Sequence, residues 1–168
     1  MITVVIHRKC SHQRSTTDGN TTVITGTTTV GPTTKPIGFH ARISKTAGRR
    51  YQQHSPIVFD DVLYNAGDSY NGTDGNFIAP VSGLYVLFFS GLVGPASASS
   101  LSSNMAELMV DLVRLGLASS SYSSSRYQTA SVQAVFWIRK DQQAWVQNWT
   151  KDVYWEYGHF SAALVRRA

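Results

Sequence analysis

From Gly38 to the C-terminus, apolar and polar residues alternate or gather in short runs, and turn-forming residues separate the runs. A period of two bounded by Gly, Asn, Asp and Ser predicts strands, and many such strands predict an antiparallel sandwich or barrel. The expected strands are Gly38–Ser44, Ile57–Tyr64, Gly75–Ile78, Gly83–Leu92, Glu107–Leu117, Ser131–Arg139, Ala144–Trp149 and His159–Arg166. Propensity alone allows a helix over Met105–Leu117, but the later alternation of Leu108, Val110 and Leu112 with Asp111 and Arg114 favours one strand. Turns are expected at Asn71-Gly72, Asp74-Gly75 and Lys140-Asp141-Gln142. The Ser-rich stretches Ser97–Ser103 and Ser119–Ser125 read as loops.

Two strands are apolar on both faces. In Ser131–Arg139, Val132, Ala134, Phe136 and Ile138 share one side while Val135 and Trp137 share the other, and every residue of Leu84–Phe89 is apolar. One sandwich core uses one face of a strand, so the second face is expected to meet another part of the protein or another subunit.

The first 35 residues differ in texture. Thr recurs through Ser15–Thr34, and Gly19, Gly26, Gly31 and Pro32 break any period. Such a run buries too little apolar surface to offset its ordering entropy. Residues 1–35 are therefore expected to be a flexible Thr-rich arm, read as a stalk, although Val23, Ile24 and Val30 also allow a frayed strand; residues 36–168 form the globular domain. The glycines lack the three-residue period of collagen. Ile2 to Ile6 is too short for a signal-peptide core, and no stretch reaches the roughly 18 apolar residues of a membrane span, so no membrane insertion is expected. Cys10 is the single cysteine, so no disulfide can form within the chain; it is either an interchain link or an idle thiol.

With 168 residues, 42% hydrophobic and 15% charged, the chain suits one packed domain. A net charge of +5 favours anionic partners. Arg42, Lys45, Arg49 and Arg50 form the densest basic group and Arg166 with Arg167 a second, but no aromatics interleave with these Arg residues as on a nucleic-acid platform, so no nucleic-acid partner is expected. Nothing indicates an enzyme: there is no Gly-x-Ser-x-Gly, no His-Glu-x-x-His and no phosphate-binding loop. The five His residues, at 7, 12, 40, 54 and 159, show no metal-ligand spacing.

The segment FDDVLYNAGDSYNGTDGNFIAPVSGLYVLFF, from Phe59 to Phe89, resembles the signature of the globular C1q domain, with Phe59, Asn65, Tyr70, Phe77, Gly83, Tyr85 and Phe89 at its positions and Leu87 replacing a Phe. Ala144-Trp145-Val146 is similar to a later family strand, and Gly158 to Leu164 to the closing strand. Asp141-Gln142 stands where the family has Gly-Asp, a turn that Asp tolerates. The resemblance, to the invertebrate type without a collagen stalk, covers roughly residues 36–167. It implies an all-β, ten-stranded antiparallel jelly-roll sandwich related to tumour necrosis factor, assembled as a homotrimer, with the motif residues serving the fold. Some family members bind calcium beside the strand that begins at Glu107. Glu107 matches one acidic position, but Gly116 replaces a second carboxylate, and calcium prefers six to eight oxygens.

Asn20, Asn71 and Asn148 lie in Asn-x-Ser/Thr sequons; Asn71 is in a Gly-rich turn, whereas Asn148 is flanked by Trp145 and Trp149. A filled sandwich leaves ligands to its connections. The candidate ligand residues are Arg49, Arg50 and Tyr51, then Tyr122, Arg126 and Tyr127, then Lys151, Tyr154 and Trp155, because Arg pairs with anions and aromatics stack on sugars. The expected function is secreted, trimeric, lectin-like recognition of microbial surface glycans or other anionic carbohydrate ligands in innate immunity. The alternatives are an extracellular matrix protein and a cytokine-like receptor ligand.

Overall fold

The computed structural model describes residues 35–44, 49–93, 104–121, 126–150 and 153–168. The N-terminal arm with Asn20 and Cys10, the Ser97–Ser103 loop, Tyr122 and Lys151 lie outside the described residues.

Eleven strands form, and no helix occurs among the described residues. They are β1 (Gly38–Arg42), β2 (Arg49–Tyr51), β3 (Asp61–Ala66), β4 (Tyr70–Asn71), β5 (Asn76–Ile78), β6 (Gly83–Val93), β7 (Asn104–Val110), β8 (Val113–Ser120), β9 (Gln128–Ile138), β10 (Gln143–Asn148) and β11 (Val153–Arg167). The first sheet runs β3-β1-β11-β6-β9, with the short β2 beside the start of β11; the second runs β4-β5-β10-β7-β8. Every pairing is antiparallel, which gives the jelly-roll sandwich.

Alternation decides which side chains meet between the sheets. In β6, Tyr85, Leu87, Phe89 and Val93 are buried, as are Ala106, Leu108 and Val110 in β7 and Ala144 and Val146 in β10. At their centre Phe39 stacks on Tyr70, with centroids 4.1 Å apart, and meets the edge of Phe160 at 4.9 Å. The two sheets approach closely where Gly116 of β8 faces Val132 of β9: a Cβ at Gly116 would lie 2.5 Å from a Val132 methyl.

The motif residues serve the fold. Asn65 ties its own turn: Oδ1 accepts from the N–H groups of Ser69 and Tyr70, and Nδ2 donates to the Tyr70 carbonyl at 2.9 Å. The Tyr70 hydroxyl donates to the Phe59 carbonyl, and burial raises its pKa above the usual phenol value. Phe59, Phe77, Tyr85 and Phe89 are fully buried, and a side chain at Gly83 would collide with the Arg166 carbonyl.

Three expectations need correction. Glu107–Leu117 is not one strand: β7 ends at Val110, and β8 returns from Val113. Asp111 makes the reversal by taking a left-handed backbone (φ 47°), and its carboxylate accepts from the Gln143 N–H and the Gln142 amide, so what reads as a polar position of a strand is a turn residue. Ser119 and Ser120, expected in a loop, end β8. Ile57 to Asp60 precede β3, with Ile57 held by one N–H bond to the Val146 carbonyl.

Candidate ligand-binding and assembly surfaces

The outer face of the first sheet is built from alternate residues of its long strands. Register sets Leu84 opposite Trp137, Val86 opposite Val135, and Phe88 between Gln133 and Ser161. Their neighbours across β6 and β9, Tyr85 with Phe136 and Leu87 with Ala134, point into the core. Val135 remains 64% exposed and Trp137 45% exposed, beside the exposed Val86 and Tyr64. A groove of about 380 Å³, lined by Ile37, Tyr64, Val86, Phe88 and Leu164 among others, opens on this face. Several exposed apolar side chains gathered on one sheet face mark an interaction surface.

Two histidines sit on the same face. His40 of β1 and His159 of β11 have ring centroids 5.5 Å apart; His40 Nδ1 meets Ser161 Oγ at 2.7 Å, and His159 stacks on Phe88 at 5.2 Å. Burial, and secondly the neighbouring His40, lower the His159 pKa below 6.5.

The expected ligand residues meet the structure unevenly. β2 pairs with β11, so Arg50 lies opposite Tyr154 and Arg49 opposite Trp155, and two of the three groups become neighbours. Trp155 and Gln128 both pair with Val93, which sets Arg126 and Tyr127 at the same end of the sheet; both are exposed. Tyr51 and Trp155, however, are not loop residues and cannot stack on a sugar. Tyr51 is 6% exposed and donates its hydroxyl to the Val58 carbonyl, and Trp155 is 0% exposed, edge-on to Phe89. Strand pairing with β6 draws Trp155 into the core, a long-range effect that adjacent charges conceal.

Asn148 is also taken by the core. It is fully buried, receives the Trp155 indole N–H at 3.1 Å and donates to the carbonyls of Tyr51, Gln52 and Thr150, so it cannot carry a glycan in the folded chain. Asn71 lies exposed in the β4–β5 turn, hydrogen-bonded to Asp74 and to the Thr73 N–H.

Glu107 does not present a free carboxylate to calcium. It is 2% exposed, Oε1 accepts from Arg114 Nη1 and Oε2 from Gln147 Nε2, both at 2.7 Å. Gly116, where a second carboxylate is expected, faces Val132 with no room for a side chain. No group of three metal-ligating side chains occurs among the described residues. Sequence reasoning passed over Arg114, Trp145 and Gln147, whose association with Glu107 follows from cross-strand register once the turn at Asp111 is placed.

Comparison with known proteins follows the same lines. The C1q domain family model matches residues 38–165. The globular domain of zebrafish complement 1qA protein superposes with a TM-score of 0.67 at 21% identity, covering 80% of this chain and 100% of that one. Eiger TNF from S. frugiperda gives a TM-score of 0.59 at 14% identity over 80% and 96% of the two chains. Murine APRIL gives 0.61 at 10% identity over 78% and 100%.

Proposed function

Because this chain belongs to the C1q domain family, whose members are generally non-enzymatic ligand-binding proteins, we propose that it is an extracellular homotrimeric module for recognising anionic or carbohydrate surfaces. The observation that carries the proposal is the outer face of the first sheet. Val86, Val135, Trp137 and Tyr64 are exposed there on one antiparallel sheet, and obligate apolar interfaces typically bury over ~2,000 Å². Closing that face around a threefold axis leaves the second sheet and the end bearing Arg126 and Tyr127, where β2 meets the start of β11, open to ligands. Three identical sites in one body convert weak contacts into avidity of 10²-fold or more on a repeating surface. This mode suits microbial glycans.

Light scattering of the full chain at micromolar concentration tests the assembly. A trimer is expected, and Trp137→Asp should split it or prevent folding, since a carboxylate would be buried unpaired in the interface. A stable wild-type monomer would remove the proposal. Binding to immobilised acidic polysaccharide tests recognition; saturable binding to one cell-surface protein in its place would favour the cytokine-like alternative.

A further inference from the structure

On the outer face of the second sheet, four side chains from three adjacent strands join in one hydrogen-bonded chain. Arg114 of β8 donates to Glu107 of β7, Gln147 of β10 donates to the other oxygen of Glu107, and the Trp145 indole N–H reaches Gln147 Oε1 at 3.3 Å. Register produces the group. Glu107 pairs with Gln147, while Met109 pairs with both Trp145 and Arg114. All lie on the face away from Ala106, Leu108, Ala144 and Val146, which fill the core.

Glu107 is the unusual member. It is nearly inaccessible on a face that does not line the core, and taking a carboxylate out of water there is costly where an apolar residue would pack. Both of its oxygens hold neighbours in place. The Arg114 side chain remains 55% exposed, and its Nε and Nη2 have no protein partner among the described residues. The network therefore fixes a guanidinium on β8 and a half-buried indole on β10, on the same face and flanking Met109 of β7. A positioned guanidinium recognises a carboxylate through paired N–H donors, and an indole offers a broad apolar face with little entropy to lose. Proton donors and an aromatic wall, immobilised by a buried group behind them, are the parts of a preorganised site.

We infer that Arg114 and Trp145, held by Glu107 and Gln147, form a subsite for the carboxylate-bearing sugar unit of an acidic glycan. The inference rests on the recognition reading above and deepens it by placing one subsite on a sheet face, outside the loops. Arg114 takes the carboxylate, and Trp145 takes the C–H face of the ring. The subsite lies on the sheet opposite the proposed trimer face, so each trimer presents three.

The test is isothermal titration of the full-length protein with a galacturonate oligomer and with a neutral galactose oligomer of equal length. The wild type should bind the galacturonate oligomer at least about tenfold more tightly than the neutral one, the scale of one charge-assisted pair. Arg114→Lys keeps the charge beside Glu107 but loses the fork, and should weaken binding roughly tenfold with an unchanged melting temperature. Trp145→Leu, the second variant, keeps an apolar residue in the strand and should also lose affinity while remaining folded. If both variants stay folded and bind as the wild type does, the subsite is refuted. If Arg126→Ala or Tyr127→Ala abolishes binding and these two do not, recognition stands and the subsite falls. Failure of the wild type to bind either oligomer overturns both readings.

Discussion

Replacing Trp155 separates a structural tryptophan from a ligand contact. Its side chain has no accessible surface, packs edge-on to Phe89 at 5.5 Å and lies against Gly91, where a Cβ would come within 2.6 Å of the indole. Its N–H is the donor to Asn148 Oδ1, and Asn148 in turn holds the carbonyls of Tyr51, Gln52 and Thr150. Trp155→Phe keeps a ring but leaves Oδ1 of a fully buried Asn without that donor, a loss of about 1–3 kcal/mol. Trp155→Ala adds a large cavity, for about 3–5 kcal/mol. In a chain of this size each kcal/mol lowers the melting temperature by roughly 2–4 °C, so the Phe variant should melt about 2–12 °C lower. Urea unfolding should be followed at fixed protomer concentration, because any assembly adds to apparent stability. Glycan affinity of the folded Phe variant should be unchanged. A Phe variant within ~0.5 kcal/mol of wild type would refute the packing account, and one that keeps its stability but loses glycan binding would return Trp155 to the ligand site.

Acid should weaken the fold through His159. Its pKa is lowered in the folded state by burial and then by His40, so the unfolded chain binds the proton more readily; the stability cost is absent above 6.5, grows as pH falls below it, and is complete once pH passes the lowered folded value. His159→Phe should flatten the urea midpoint between pH 7.5 and 5. If the chain is expressed through a secretory pathway, Asn71→Gln should remove one glycan mass and Asn148→Gln none, as read by mass spectrometry of the intact protein.

The sandwich was legible because its local signals agree. Asp141 stands in for a turn glycine and adopts φ 69°, and the Phe59–Phe89 motif fills the core as its spacing implies. The turn at Asp111 was not legible, since an Asp between apolar residues fits strand alternation and its hydrogen-bond partners, Gln142 and Gln143, lie about thirty residues away. Tyr51 and Trp155 were misplaced for the same kind of reason: beside Arg50 and Tyr154 they read as surface, and only the β2–β11 and β11–β6 pairings bury them. Glu107 was legible only through the resemblance, as an acid at a calcium position, and not as a hub, because its two partners come from separate strands.

At one end of the first sheet the Leu164 N–H donates to the Ile37 carbonyl, and Arg167 Nη2 donates to the Lys35 carbonyl at 3.1 Å. The first and last segments of the domain thus leave it side by side, at the end away from Arg126 and Tyr127. A short linker could close the backbone into a loop, which would let the chain be reopened at an exposed turn such as Asn71–Asp74, and, if the domain assembles as proposed, three copies could be strung in tandem on one polypeptide with every linker at the end away from Arg126 and Tyr127.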